Sequence, residues 1–377
     1  MSTESAPRKI YMIAGEASGD LHGSNVIRQL FAMDPHLNIR CWGGDLMKKE
    51  GGEVVKHIRE LAFMGFQEVL MNLRTILRNM KQCKADIEHF QPDALLLIDY
   101  PGFNLRIAEW AKEKGIPVFY YVSPQVWAWK QSRVFKIRKV VDHMFVILPF
   151  EKAFYEKFDY SVDFVGHPLI DAIQRYEEEK SADDFVRRNN CSTKPIIAVL
   201  PGSRRQEIAK KLPVMLQAVE NLSEYQVIVA GAPSMDESYY TEFLPANTKI
   251  VFGQTYDLLA NSVAAIVTSG TATLETALFK VPEVVCYKSS PVSYQIAKRL
   301  VKIKYISLVN LIMDREVVKE LIQGDCTAEK IRYELNRILP GGAARNEMEK
   351  DFSALTQILG GGGASKKVAQ SLLKTIR

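Results

Sequence analysis

The sequence predicts an α/β chain of two doubly wound, Rossmann-like domains facing each other across a cleft. Three observations carry this. Apolar runs alternate with amphipathic segments through the first half. A second series of the same kind begins at Ile196. Two apolar runs of that series, Ile196–Leu200 and 264–267, lead directly into small-residue turns and then helix-forming sequence. Continuous apolar runs suit buried parallel strands, and their alternation with helices implies right-handed crossovers.

The elements follow in order. Lys9–Ala14 is the first strand, leading through Gly15-Glu16-Ala17-Ser18-Gly19-Asp20 into a helix over about 21–33. Residues 39–43 form a short second strand. Residues 94–99, ALLLID, are the most strand-like segment of this half. A helix over 103–114, a strand over 117–122, a helix over 134–141 and a strand over 144–148 ending at Pro149 come next. A short strand at 163–165 ends at Gly166-His167-Pro168. Polar sequence at 177–180 and 187–194 then reads as surface and linker. The second series continues at 226–230, Lys249–Phe252, 264–268 and Glu283–Tyr287. The first domain is expected over 1–170, completed by 350–377, and the second over 171–349. The tail is a glycine tract, 360–363, followed by a basic helix over 366–376.

A chain of 377 residues exceeds one compact core and suits two domains. Hydrophobic residues at 47% and charged residues at 25% are the balance of a globular protein. A net charge of +5 is too mild to call for nucleic acid, and none is expected. Five cysteines are scattered without metal spacing, as in a reducing compartment. No apolar stretch reaches the roughly 18 residues that span a bilayer, and the N-terminus begins polar, without a signal-peptide pattern. A cytoplasmic protein is expected.

The segment 267–276, VTSGTATLET, is the most informative. A strand, a tight turn and a helix start aim unpaired backbone N–H groups and the positive end of a helix dipole at one spot, which suits phosphate. Ser269, Gly270, Thr271, Ala272 and Thr273 are the expected contacts, with hydroxyls as added donors. Glu275, one turn in, is placed to take a ribose diol. Pro201-Gly202-Ser203-Arg204-Arg205 repeats the arrangement after Ile196–Leu200. Arginine grips phosphate oxygens in pairs, and guanidiniums at a helix start oppose its dipole unless an anion offsets them. Two such loops suggest a diphosphate ligand at the carboxyl ends of parallel strands. An ordinary capped turn is the alternative for each. No DxD pair stands beside these loops, so no metal or other cofactor is required.

In the first half, Asp99 follows the most apolar strand and precedes a Pro-Gly turn. Partial burial there raises a carboxyl toward a useful general base; capping the next helix is the alternative. Glu16, Ser18 and Asp20 are candidate acceptors for sugar hydroxyls, with Asp20 the second candidate base. Alternatively, Asp20 caps the first helix. Trp127 and Trp129 offer faces for sugar rings or acyl chains, or simply pack. His167 is a ligand contact or a hinge. Residues 63–77 carry an apolar stripe at helical spacing, Phe66, Val69, Leu70, Leu73, Ile76 and Leu77, beside Arg74 and Arg78. It reads as a core-facing helix or as an interfacial, acyl-binding patch.

Taken together, GEASGD, IDYPGFN, YYVSPQVWAW, RVFKI, LPFEKAFY, FVGHP, LPGSR, TSGTATLE, AKRLVK and SLVNLI resemble the lipid-A-disaccharide synthase family, in register from Ile10 to about Glu320. The resemblance implies a GT-B-type glycosyltransferase on the inner face of the cytoplasmic membrane. Its donor would be UDP-2,3-diacylglucosamine and its acceptor 2,3-diacylglucosamine 1-phosphate, giving a β-1,6-linked disaccharide 1-phosphate and UDP. It assigns Asp99 as candidate base, Arg204 and Glu275 to the donor, and Asn310, of the S-L-x-N-L motif, to the same site. Val309 stands where the family has proline. The resemblance also allows a homodimer with exchanged C-terminal helices. A UDP-N-acetylglucosamine 2-epimerase-like isomerase is the rival reading, since it shares the fold and the UDP grip.

Overall fold

The structure, a computed structural model, describes residues 7–61, 73–179, 185–233, 235–245, 248–300 and 303–376. The chain divides into two compact units, residues 1–172 with 359–377, and residues 173–358.

The first unit runs β1 (Lys9–Ala14), α1 (Ala17–Met33), β2 (Asn38–Gly43), α2 (Asp45–Lys49), β3 (Glu53–His57), α3 (Leu73–Phe90), β4 (Ala94–Ile98), α4 (Pro101–Glu113), β5 (Val118–Tyr121), α5 (Arg133–Val140), β6 (His143–Val146), α6 (Pro149–Glu156) and β7 (Asp163–Phe164). All strand pairs are parallel, in the order β3-β2-β1-β4-β5-β6-β7. Every residue of β4 and β5 is buried, as central strands covered on both faces require. Pro149 does not merely end a strand. It opens α6 at a first-turn position, where the missing N–H costs nothing.

Helix α7 (Pro168–Glu179) carries the chain into the second unit. There follow α8 (Phe185–Arg188), β8 (Ile196–Leu200), α9 (Arg205–Val219), β9 (Gln226–Gly231), α10 (Glu237–Tyr240), β10 (Lys249–Phe252), α11 (Thr255–Ala260), β11 (Ser262–Thr268), α12 (Thr271–Leu278), β12 (Glu283–Tyr287), α13 (Pro291–Leu300), α14 (Leu308–Met313), β13 (Lys319–Ile322), α15 (Ala328–Ile338) and α16 (Arg345–Ile358). The six parallel strands lie in the order β10-β9-β8-β11-β12-β13. In both units the strand order reverses beside the first strand, between β1 and β4 and between β8 and β11. Ligands of open α/β sheets bind at such switch points. Two edge strands, β3 and β13, escape the hydropathy pattern. They are short, charged and half-buried, as edges that resist mispairing are.

The chain ends on the first unit. Helix α17 (Ala364–Thr375) packs on α1 and buries Val368, Ala369 and Leu372. The Asp171 carboxylate accepts the amides of Gly363 (2.5 Å) and Ser365 (2.9 Å), and Lys367 Nζ donates to the Val165 carbonyl. The glycine tract is therefore not slack throughout. Gly363 holds a left-handed φ of 94° as the residue before α17, with its amide tied down.

Candidate active site

In the second unit, β8 ends in Pro201-Gly202-Ser203. Gly202 has φ 110°, and a Cβ there would meet Glu207 Oε2 at 2.7 Å, so the turn accepts only glycine. Arg204 is the N-cap residue of α9, with a side chain 59% exposed, 3.7 Å from the Glu207 carboxylate. Arg205 behaves differently. Its guanidinium sits 4.4 Å over the Tyr239 ring, and its carbonyl accepts the Tyr239 hydroxyl. Both arginines are exposed.

The β11–α12 turn is built similarly, with a change in which atoms are available. Ser269 Oγ donates to the Ile306 carbonyl, and Thr273 Oγ1 to the Gly270 carbonyl. Those hydroxyl protons are committed, so the expectation that they add donors is corrected. Besides the exposed Thr271 hydroxyl, the donors left are backbone amides. Among the described residues, those of Gly270, Thr271 and Ala272 enter no hydrogen bond within the fold. Gly270 lies at φ 155°, ψ −161°, with open space where a Cβ would stand; this backbone region is essentially glycine's alone. The result is a bare helix N-terminus, the geometry that receives an anion. One turn on, Glu275 Oε1 accepts the Tyr256 hydroxyl at 3.0 Å. Burial raises the Glu275 carboxyl above its ordinary range, against that hydrogen bond.

Asn310 is a correction. It is fully buried. Its Nδ2 donates to the Val318 carbonyl and to Glu320 Oε1, and its Oδ1 accepts the amides of Val317 and Val318. An amide side chain with both ends filled has nothing left for a ligand. Glu320 also takes the amides of Ile306 and Ser307, and Ile306 in turn accepts Ser269. Asn310 thus fixes the loop that braces the Ser269 turn. Val309 fits where proline is expected. It lies in the first turn of α14, capped by Ser307, where an N–H is an orphan anyway.

In the first unit, β4 stops at Ile98, and Asp99 and Tyr100 both take left-handed conformations, φ 45° and 49°. Two consecutive non-glycine residues there are costly and persist only where surroundings impose them. The constraints are visible. Asn104 Nδ2 (2.8 Å) and the Tyr120 hydroxyl (2.6 Å) donate to the Asp99 carbonyl. The Tyr100 ring packs where a Cβ on Gly15 would come within 2.3 Å, which explains the first glycine of GEASGD. Tyr100, not Asp99, is the N-cap residue of α4, and no side chain caps it. Burial and then the nearby Glu16 carboxylate push the Asp99 carboxyl up to about 7, against a hydrogen bond from the Tyr100 amide. That is the range of a general base at neutral pH.

Asp20 is a second correction. It does not cap α1, which begins at Ala17, and it is 4% exposed. Its carboxylate accepts the amides of Gly44 (2.7 Å), Leu46 (3.1 Å) and Met47 (3.0 Å). It pins the start of α2. His167 is neither exposed nor free. It is buried, and its Nδ1 accepts the Leu169 amide at the start of α7. Trp127 donates to the buried Glu151 and packs edge-on against Phe150, whereas Trp129 is 43% exposed.

Of the apolar stripe, Phe66, Val69 and Leu70 lie outside the described residues, as does the Leu73 side chain. Ile76 is half-buried and Leu77 is 57% exposed, while Met80, Cys83 and Ile87 further along α3 enter the core. Among the described residues no helix is long and apolar enough to cross a membrane. Sequence reasoning missed Tyr100, Tyr120 and Tyr256, because their roles arise from neighbours distant in the chain, and Asn104, whose bond to the Asp99 carbonyl depends on the left-handed turn at 99–100.

A family model for lipid-A-disaccharide synthetase matches residues 10–373. Lipid-A-disaccharide synthases of Syntrophus aciditrophicus and Geobacter sulfurreducens are 40% and 38% identical, covering 98% and 99% of both chains in each pair. Solved structures with similar folds include a UDP-GlcNAc 2-epimerase from Neisseria meningitidis bound to UDP-GlcNAc (TM-score 0.69, 14% identity, 97% of this chain and 100% of that one). The glycotransferase of kitacinnamycin is another (TM-score 0.66, 13% identity, 99% and 100%). At such identities these share the fold alone, so epimerase neighbours do not favour the isomerase reading. Full-length relatives and a family match across nearly the whole sequence agree: the chain belongs to the lipid-A-disaccharide synthase family.

Proposed function

We propose that the chain joins UDP-2,3-diacylglucosamine to 2,3-diacylglucosamine 1-phosphate, giving the β-1,6 disaccharide 1-phosphate and UDP. The observation that carries the chemistry is Asp99, with its carboxyl near 7 on a strained, braced turn. Its carboxylate takes the proton of the acceptor 6-hydroxyl as that oxygen bonds to the anomeric carbon. The bond from that carbon to the diphosphate breaks on the opposite face, and UDP leaves with the electron pair. The configuration inverts. Arg204 and the bare amides of Gly270–Ala272 balance the diphosphate charge, the kind of fixed donor array that stabilises developing charge most effectively. The Glu275 oxygen not held by Tyr256 takes a ribose hydroxyl. Ser203 and Thr271 complete the donor contacts.

The substrates carry acyl chains, and the protein works as a peripheral protein on the inner face of the cytoplasmic membrane. The stripe Phe66, Val69, Leu70, Leu73, Ile76 and Leu77 docks there and admits acyl chains. The exposure of Leu77 supports this. Mass spectrometry of an incubation with both lipid substrates tests the reaction: a disaccharide 1-phosphate plus UDP is expected. Epimer formed without acceptor, and no disaccharide, would replace this reading with the isomerase one.

A further inference from the structure

One surface of the first unit is unused by the transfer chemistry, the loop and helix from Trp129 to Val140. Residues 129–140, WKQSRVFKIRKV, hold five cations, Lys130, Arg133, Lys136, Arg138 and Lys139, and no acid. Helix α5 buries Val134, Ile137 and Val140. That spacing keeps one edge in the core and turns Phe135 outward, 57% exposed, edge-on against Phe158 at 5.7 Å. Trp129 stands out from the preceding loop. The Lys130 ammonium and the Arg133 guanidinium lie 4.7 Å and 5.1 Å from its ring centre. Lys136 is matched by Glu109 at 2.7 Å, and Arg138 donates to the Phe158 carbonyl, which leaves its charge in place.

Single exposed apolar residues need no explanation. Two large rings among five cations, of which only Lys136 is paired with an acid, Glu109, do. A tryptophan ring is at home at headgroup level, with an apolar body and a polar edge. Lysines and arginines beside it are drawn to an anionic surface. A second copy of the chain fits worse, because a self-complementary contact would press Lys130, Arg133, Arg138 and Lys139 against the same four cations.

We infer that this surface docks the first unit on an anionic lipid bilayer. Trp129 and Phe135 enter the headgroup layer, and Lys130, Arg133, Arg138 and Lys139 meet lipid phosphates. The inference rests on the reading that the substrates are membrane lipids, but it uses a surface separate from the stripe at 66–77.

Co-sedimentation of the full chain tests it, with vesicles of phosphatidylglycerol and phosphatidylcholine in equal parts against vesicles of phosphatidylcholine alone. The wild type should prefer the anionic vesicles and come off them in high salt. The variant Lys130→Gln, Arg133→Gln, Lys139→Gln should partition about a hundredfold less, roughly fivefold for each cation. Its turnover of detergent-dispersed substrates should stay at the wild-type level. Phe135→Ser, which removes no charge, should weaken binding roughly tenfold. A triple variant that binds anionic vesicles as the wild type does overturns the inference. So does one that changes the mass seen in light scattering while vesicle binding holds, since the surface would then join two copies. The stripe variant Phe66→Ser, Leu70→Ser, Leu73→Ser separates the two surfaces. If it loses vesicle binding and the triple variant keeps it, this inference falls and the membrane reading stands. A wild type that binds no vesicle sinks the membrane reading itself.

Discussion

Replacing Asp99 by asparagine should split activity from stability in opposite directions. The change preserves shape, and asparagine tolerates the left-handed backbone of this turn well. The Asp99 carbonyl still receives Asn104 and Tyr120, so the turn should persist. The proton acceptor is gone, and turnover should fall by roughly 10²–10⁴, about 3–5 kcal/mol of barrier. Binding of the UDP-sugar, proposed for the other unit, should change little. Stability should move the other way. Burial and Glu16 raise the folded carboxyl from an ordinary 3.8 to about 7. The folded chain therefore holds an extra proton between about pH 4 and 7, and its stability falls as pH rises through that window. The ionised carboxylate costs the fold at most about 4 kcal/mol above pH 7. Asp99→Asn should melt higher than the wild type at pH 8 and level with it near pH 4. Wild-type turnover should climb with pH through about 7, and the variant's residual rate should lose that limb. Calorimetry and a UDP-release assay across pH read both effects. The companion change Asp20→Asn should instead destabilise, by about 1–3 kcal/mol, since it weakens three amide contacts. If Asp99→Asn keeps more than roughly a tenth of its activity while a folded Asp20→Asn is dead, the base is Asp20 and the reasoning fails.

Three further outcomes are expected. Arg204→Ala should cost 10²-fold or more in turnover, on the order of 3 kcal/mol, and a near-wild-type rate would remove the loop from the donor site. His22 and His167 are buried, and burial holds them neutral, down at about 4 and about 3, with Asp171 opposing the shift at His22 and His22 adding to it at His167. Below about pH 6.5 the unfolded chain takes protons the fold refuses, so stability falls with pH; each group should cost about 2 kcal/mol by pH 5. His22→Leu should flatten this acid limb in calorimetry, and an unchanged slope would refute the assignment. Finally, α17 packs on its own first unit here, and an exchanged dimer would make the same contacts with a partner's helix. Light scattering should then give a dimer for the full chain and a monomer for a chain ending at Gln357; a monomer in both refutes the exchange.

Much of this protein was legible in the sequence because its chemistry sits at the ends of strands. Apolar runs such as ALLLI and IIAVL, bounded by turn residues, suit covered strands. The small-residue turns after IIAVL and after residues 264–267 carry the expectation of anion loops. The family followed from motifs in register, and so did the reaction. Periodicity fails where residues are neither clearly inside nor outside, hence the lost edge strands β3 and β13.

What only the tertiary structure decided is which side chains are still available. Asn310 and Asp20 read as ligand residues in sequence, yet each is saturated by amides brought from elsewhere in the chain. Ser269 carries a hydroxyl in the candidate loop, but its proton goes to the Ile306 carbonyl. Arg204 and Arg205 are indistinguishable neighbours until Tyr239 claims the second. The acidity of Asp99 depends on burial and on Glu16, which follows the adjacent strand β1. A sequence fixes where polar groups lie along the chain. Whether one is spent or available depends on hydrogen bonds between residues far apart in it, and those exist only once the sheet has formed.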